Sequence, residues 1–91
     1  MSALLDNPRA SVSEMIYEPG VRRESYVRAT DQIVVFLDDC EFDRIDPHTG
    51  VLLNRSRRSG EVLWHAKGEL APVLVNTGTR AFRTLLIELR S

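Results

Sequence analysis

The sequence has few of the features that mark secreted, membrane-spanning or nucleic-acid-binding proteins. It contains one cysteine in 91 residues, so no disulfide can form within the chain. Residues 1–11, MSALLDNPRAS, lack the basic start and apolar core of a signal peptide, and no apolar run is long enough to cross a bilayer. The net charge is −1, without the basic surplus of nucleic-acid binders. We therefore expect a soluble, cytoplasmic protein that binds neither membranes nor nucleic acids.

The residues that are present indicate a single small β domain. A hydrophobic fraction of 43% suits a globular chain. Turn-forming pairs such as Asn7-Pro8, Pro19-Gly20 and Ser59-Gly60 separate short segments rich in Val, Ile, Leu and aromatic residues, which is typical of an all-β barrel. No window keeps the apolar spacing of a long helix, and at most residues 2–6 form a helical turn. The predicted strands are residues 12–17, 22–28, 31–38, 41–46, 51–57, 61–65, 72–76 and 81–90.

The last predicted strand carries apolar residues on both of its faces. Leu85 and Ile87 share one face with Arg83, whereas Phe82 and Leu86 lie on the other face. The outer face of a lone small barrel is expected to be polar, so another element should cover this one. An N-terminal arm of residues 1–11 or a second subunit could do so. We favour a homodimer, because pairing also protects the edges of the sheets.

Two groups of residues follow spacings known from one β-barrel family. The first group matches G-x5-H-x-H-x3-E-x6-G in spacing, with Gly20, Tyr26, Arg28, Gln32 and Asp39 at the motif positions. The second spacing, G-x5-P-x-G-x2-H-x3-N, is followed by Gly60, Ala66, Gly68 and Ala71, with Asn76 one residue late. Together with the segments GEVLW, VNTG and RTLLIEL, these motifs make the chain resemble a small single-domain cupin of the RmlC-like superfamily. The resemblance covers residues 7–90, and we expect one cupin-like domain over residues 1–91.

The resemblance implies a double-stranded β-helix, that is, a jelly-roll barrel with a pocket between its two sheets. In cupins, two histidines and a glutamate of the first motif and a histidine of the second bind a metal ion. Here Tyr26, Arg28, Gln32 and Ala71 stand at those positions. A guanidinium has no free lone pair and repels a cation, and alanine offers no ligand. Moving the second motif by one residue brings Pro72 to the histidine position. In either register we predict no metal and no other cofactor.

The residues at the lost metal positions have two interpretations. In the first, Arg28 forms an ion pair with an acid such as Glu24 or Glu88, and the polar groups fill a vestigial cavity. In the second, Arg28 binds the carboxylate or phosphate of a small anionic ligand, while Tyr26 and Gln32 orient it.

Three further features are candidates for ligand contacts. Arg83 could add a second positive charge to the pocket. Trp64 is either a core or dimer contact or a platform for the ligand. The segment NRSRRSG, residues 54–60, is either an exposed strand end and turn or a rim that attracts anions.

Catalytic candidates are few. Tyr26 and His65 could move a proton in the pocket, whereas His48 lies in a predicted exposed turn. Cys40 follows two aspartates that disfavour a thiolate, so we do not expect a nucleophile there.

Three functions therefore remain open from the sequence. The first is a metal-free binding or accessory protein for a small anionic metabolite. The second is a metal-independent isomerase, epimerase or lyase that uses the same pocket. The third is a structural dimer that scaffolds or regulates another protein. An open pocket with an unpaired Arg28 favours binding, and a pocket plugged by apolar side chains favours a scaffold.

Overall fold

The computed structural model describes residues 2–90, which form β-strands joined by turns and contain no helix. The all-β prediction is confirmed. The strands are β1 (Ser2–Asp6), β2 (Ala10–Tyr17), β3 (Arg22–Arg23), β4 (Tyr26–Val27), β5 (Asp31–Phe36), β6 (Cys40–Ile45), β7 (Leu52–Arg57), β8 (Val62–His65), β9 (Leu70–Ala71), β10 (Val73–Asn76) and β11 (Phe82–Leu89). In the described part of the chain, no helix is long and apolar enough to span a membrane.

The helical turn predicted for residues 2–6 is wrong, because these residues form strand β1. The side chain of Asn7 accepts hydrogen bonds from the backbone N–H groups of Arg9 and Ala10, at 2.8 and 2.9 Å, and closes a β-hairpin. A five-residue segment is too short for a stable isolated helix, whereas pairing with β2 satisfies its backbone groups. Residues 2–11 thus extend a sheet edge, and residue 1 lies outside the described residues.

The strands are arranged in two large antiparallel sheets and one small one. The five-stranded sheet has the order β1-β2-β11-β5-β8, and the four-stranded sheet has the order β3-β10-β6-β7. Strands β4 and β9 form a separate pair. The two large sheets pack through a core that is mostly aromatic, consisting of Tyr17, Phe36, Phe42, Leu74 and Phe82. The rings of Phe36 and Phe42 stack between the sheets at 6.1 Å.

A buried asparagine fixes the turn between β10 and β11. The side chain of Asn76 is 1% exposed and makes three hydrogen bonds. Its Nδ2 donates to the carbonyl oxygens of Tyr17 and Arg80 at 2.9 and 2.8 Å, and its Oδ1 accepts from the N–H of Gly78 at 2.9 Å. The side chain therefore ties the end of β2 to the turn that leads into β11.

The outer face of the five-stranded sheet carries a row of apolar side chains. Strand register aligns Leu5, Val12, Ile87, Ile33 and Trp64 across all five strands. At the two ends of the row, Leu5 is 50% exposed and Trp64 is 57% exposed. Both faces of β11 are thus apolar in the fold, and the outer one is only partly shielded within a single chain.

Candidate ligand-binding cavity

A cavity of about 310 Å³ lies between the two large sheets. Its lining includes apolar side chains from both sheets, among them Phe36, Phe42, Leu63, Phe82 and Leu86. The volume is near the lower end of the range of roughly 300–1,000 Å³ for small-molecule sites. The cavity is therefore open rather than plugged, and it has room for a small ligand.

Arg28 and Tyr26 line this cavity, whereas Gln32, which is not one of the lining residues, is hydrogen-bonded to both of them. Arg28 is 5% exposed, and its Nη1 donates to Gln32 Oε1 at 2.6 Å and to the Tyr26 hydroxyl at 3.2 Å. The guanidinium also lies 5.5 Å from the centre of the Tyr26 ring, within the range of a cation–π contact. The backbone of Arg28 is fixed on both sides, since its N–H donates to the Glu69 carbonyl at 2.9 Å and its carbonyl accepts from Gly68 at 2.8 Å.

The buried charge of Arg28 has no carboxylate partner among residues 2–90. No Asp or Glu oxygen in that range lies within 4.0 Å of its guanidinium. Of the two acids considered as partners, Glu24 pairs with Arg22 at 2.7 Å, and Glu88 accepts a hydrogen bond from Thr30 at 3.4 Å. Burial lowers the pKa of Arg28 from its ordinary value. Arginine nevertheless stays protonated in proteins, so the cavity holds a positive charge that no carboxylate of residues 2–90 contacts directly.

The cavity as a whole is strongly cationic. Its lining includes five arginines and one glutamate: Arg23, Arg28, Arg44, Arg55, Arg57 and Glu69. Three of the arginines, Arg23, Arg28 and Arg57, have a buried Nε atom without a hydrogen-bond partner in the described residues. A buried donor without a partner is uncommon, and these three Nε atoms are desolvated without a compensating hydrogen bond.

His65 is at the same cavity, at the end of β8. Its Nδ1 lies 3.4 Å from Glu69 Oε2, and Gln32 is its cross-strand neighbour. Burial, and after it the positive charge of Arg28, lower the pKa of His65. The hydrogen bond and the charge of Glu69 act in the opposite direction, and Arg44 makes the smallest contribution, which again lowers the pKa. The imidazole is therefore neutral at pH 7.

We expect this shift to appear in the pH dependence of stability. The unfolded chain takes up a proton near the ordinary imidazole pKa of 6.5, whereas the folded protein does so only at lower pH. The free energy of unfolding should therefore decrease as the pH falls below 6.5. Urea denaturation between about pH 7.5 and 5.5 measures this decrease, which should be smaller in His65→Gln. His48→Gln, in an exposed turn, is the matched control, and equal slopes in all three proteins would contradict the prediction.

The positions of the cupin metal ligands do not form a metal site in this chain. Tyr26 and Ala71 are direct cross-strand partners in the β4–β9 pair, and Ala71 is fully buried. The guanidinium of Arg28 donates to the Tyr26 hydroxyl and repels a divalent cation. Within the described ranges, no group of three His, Cys, Asp or Glu side chains is arranged to hold a metal ion. The donor set does not fit a divalent metal, and the absence of a cofactor stays a prediction.

Two predicted ligand contacts, Arg83 and Trp64, do not lie at the cavity. The inner face of β11 is formed by Phe82, Thr84 and Leu86, so alternation directs Arg83 outward. There its Nε and Nη2 donate to the two carboxylate oxygens of Asp38, at 3.0 and 3.1 Å. Trp64 also points outward, between the inward-facing Leu63 and His65. The placement of these two residues in the pocket is therefore wrong.

The arginine-rich segment, residues 54–60, lies only partly at the cavity. Arg55 and Arg57, on β7, line the cavity, whereas Arg58 lies outside it beyond the end of the strand. Sequence reasoning missed Arg44 and Glu69. Arg44 follows Phe42 by two residues on β6, so the same alternation that buries Phe42 could have assigned Arg44 to the inner face.

Cys40 is not an activated nucleophile. Burial raises the pKa of its thiol to about 11, and the charge of Asp39 adds a smaller effect in the same direction. The thiol is therefore protonated at neutral pH, and burial rather than the neighbouring acids is the main cause.

Similarity to known proteins is found at the level of structure. No protein-family model matches the sequence, and no curated protein matches it. A cupin domain from Bordetella pertussis Tohama I superimposes with a TM-score of 0.86 at 19% identity, over 99% of this chain and 91% of that one. An RmlC-like cupin from Methanocaldococcus jannaschii gives 0.75 at 6% identity, over 98% and 77%.

An enzyme is also among the similar structures. The polyketide cyclase RemF from Streptomyces resistomycificus superimposes with a TM-score of 0.70 at 15% identity, over 93% of this chain and 57% of that protein. At sequence identities this low, structural similarity establishes the shared fold and not a shared function. With its antiparallel sheets and the cavity between them, the chain is a small domain with the cupin fold, a double-stranded β-helix.

Proposed function

We propose that this protein binds a small anionic metabolite in the cavity between its sheets, without a metal ion. The observation that carries the proposal is the buried guanidinium of Arg28, which faces the cavity and has no carboxylate partner among residues 2–90. A buried charge is costly unless a counter-charge accompanies it. A carboxylate or phosphate in the cavity supplies that counter-charge and accepts the unused N–H groups.

Isothermal titration calorimetry with a panel of carboxylates and phosphates tests this function. We expect saturable binding of one anion per chain, with an affinity that decreases as the salt concentration rises. Arg83→Gln is a matched control, because it removes an arginine that lies on the outer face. Binding should survive in this control and be lost in Arg28→Met. If no anion in the panel saturates the wild type, or if Arg28→Met binds equally well, the proposed function is wrong.

A second candidate, metal-independent proton transfer, is favoured by one contact. His65 lies at the cavity next to Glu69, which could orient its ring as a carboxylate orients a general base. The hydroxyl of Tyr26, which accepts a hydrogen bond from Arg28 Nη1 at 3.2 Å, could serve as the second proton carrier. The titrations separate the two candidates when the ligand is recovered and analysed by NMR. A binding protein returns its ligand unchanged, whereas an isomerase or lyase returns a product.

We also propose that two copies pair through the outer face of the five-stranded sheet. The apolar row that ends at Trp64 supports this, because contiguous exposed apolar surface commonly marks an interface. Light scattering coupled to size-exclusion chromatography should give twice the mass of one chain for the wild type and the mass of one chain for Trp64→Glu. Val51→Glu, at a 56% exposed valine in a turn, is the control and should remain dimeric. A monomeric wild type would contradict the pairing.

A further inference from the structure

Basic side chains are concentrated around the cavity, although the charges of the whole chain nearly cancel. The lining contains five of the 12 basic residues of the chain but one of its 13 acidic residues, Glu69. A second acid, Glu61, is outside the lining and lies 3.7 Å from Arg57. Five arginines against these two carboxylates leave an excess of three positive charges, since His65 is neutral. A ligand with one negative charge would balance only part of this excess.

Two of the arginines lie against one tyrosine ring. The guanidinium carbons of Arg23 and Arg28 are 5.4 and 5.5 Å from the centre of the Tyr26 ring. Arg23 donates to two neutral oxygens, the Tyr17 hydroxyl at 3.2 Å and the Pro72 carbonyl at 2.6 Å. Burial is the main cause of the lowered pKa of Arg28, and the charge of Arg23 acts in the same direction. Within the described residues, no carboxylate lies within 4.0 Å of either guanidinium.

Two more arginines lie on the inner face of β6 and β7. Arg44 is the direct cross-strand partner of Leu53, and Arg55 is that of Phe42. Arg44 and Arg55 are therefore diagonal neighbours, about 7–8 Å apart. Both line the cavity and are exposed to solvent, so their donors are accessible to a ligand. Asp46, two residues beyond Arg44, accepts hydrogen bonds from two backbone N–H groups of its own turn and forms no ion pair within the described residues.

The two pairs of arginines are neighbours in the four-stranded sheet. Leu74 of β10 is the cross-strand partner of Arg23 on one side and of Arg44 on the other. Two strand spacings place the backbones of these arginines roughly 10 Å apart. Because arginine side chains are long, a small ligand with two anionic groups can interact with both pairs at once.

We infer that the ligand is a small acid with two anionic groups, such as a dicarboxylate or a phosphorylated acid. One group lies toward Arg23 and Arg28, and the other binds the exposed guanidiniums of Arg44 and Arg55. This inference rests on the proposed function and adds the charge of the ligand and a second anchor for it.

Dicarboxylates and their monomethyl esters test the inference on the wild-type protein. Succinate, glutarate and adipate differ in the spacing of their two anionic groups, and each ester removes one charge with little change in size. In isothermal titration calorimetry, the dicarboxylate of best-fitting length should bind at least about tenfold more tightly than its ester. The difference should shrink as the salt concentration rises, because salt screens exposed charges. By the same reasoning, 2-phosphoglycolate should bind more tightly than glycolate.

Three variants locate the second anionic group. Arg44→Gln and Arg55→Gln should each weaken binding of that dicarboxylate about fivefold, the effect of one partly exposed ion pair, and change the affinity for its ester less than about twofold. Arg58→Gln is the matched control, since it removes an exposed arginine next to β7 that does not line the cavity. It should leave both affinities unchanged. Equal losses in Arg44→Gln and Arg58→Gln would mean that only the overall charge matters, and would overturn the second anchor.

The possible results distinguish the ligand class from the function itself. Arg28-dependent binding of dicarboxylates and their monomethyl esters with equal affinity would preserve the anion site but overturn the requirement for two anionic groups. If no anion binds at all, the proposed function and this inference both fail.

Discussion

Replacing Arg28 with methionine is expected to lower the affinity for carboxylates by about 100-fold and, at the same time, to stabilise the ligand-free protein. The two effects have one origin. The guanidinium is buried without a carboxylate partner among residues 2–90, so the free protein bears the cost of its desolvation. Two charge-assisted hydrogen bonds to a bound carboxylate contribute roughly 3 kcal/mol in total, which corresponds to the 100-fold change.

Methionine preserves most of the side-chain volume and removes the charge. We expect the thermal midpoint of the free protein to rise by about 4–8 °C, which corresponds to ~1 kcal/mol in a domain of this size. The gain is limited because Gln32 loses the donor that Arg28 provides at 2.6 Å. Differential scanning fluorimetry with and without a carboxylate that saturates the wild type measures both effects. Arg83→Met, at the surface pair with Asp38, should leave the affinity unchanged. A lower midpoint for Arg28→Met with retained affinity would show that this arginine is structural.

Replacing Asn76 with leucine should cause the largest loss of stability. The variant leaves the carbonyls of Tyr17 and Arg80 and the N–H of Gly78 without their present partners. Three polar groups at about 1–3 kcal/mol each would cost roughly 3–9 kcal/mol. The bonds to Arg80 and Gly78 are only partly buried, so we expect the free energy of unfolding to fall by roughly 3–6 kcal/mol. This is a large part of the total stability of about 5–15 kcal/mol of a typical domain. Urea denaturation followed by circular dichroism measures the loss.

Two comparison variants keep this prediction testable if Asn76→Leu does not fold. Asn76→Asp retains the acceptor for Gly78 and loses both donations, so its loss of stability should be intermediate. Asn54→Leu changes an exposed asparagine that donates to Asp43 at 2.9 Å, and its effect should stay within about 0.5 kcal/mol. Equal stability of Asn76→Leu and Asn54→Leu would mean that the buried hydrogen bonds contribute nothing.

Much of the fold could be predicted because local signals and long-range pairing agree. Turn residues and alternating apolar residues gave strands such as β5 and β11 within a few residues of their observed bounds. Strand β1 was missed because Leu4 and Leu5 are both exposed and show no alternation. Its strand conformation depends on pairing with β2, which no local pattern reports.

The candidate site was predictable only in part. Alternation tells which residues share a face of a strand but not which face points inward. For this reason Arg83, and Trp64 in one of its two interpretations, were placed at the pocket. The spacing of the cupin motif supplied that missing information for Arg28 and its two neighbours. Arg44 reaches the cavity from a strand between the two motifs, and Glu69 from a loop position at which the second motif specifies no residue type.

The pairing of Ala71 with Tyr26 limits how this barrel could be redesigned. Directly opposed residues of an antiparallel pair have Cβ atoms about 4.5–5.5 Å apart. Because Ala71 has no exposed surface, a histidine introduced at this position would displace the ring of Tyr26. The imidazole would then lie near the guanidinium of Arg28, whose positive charge repels a metal ion. Conversion to a metalloprotein thus needs simultaneous substitutions at positions 28 and 71. The substitution at position 28 would remove the side chain that is proposed to bind the anion.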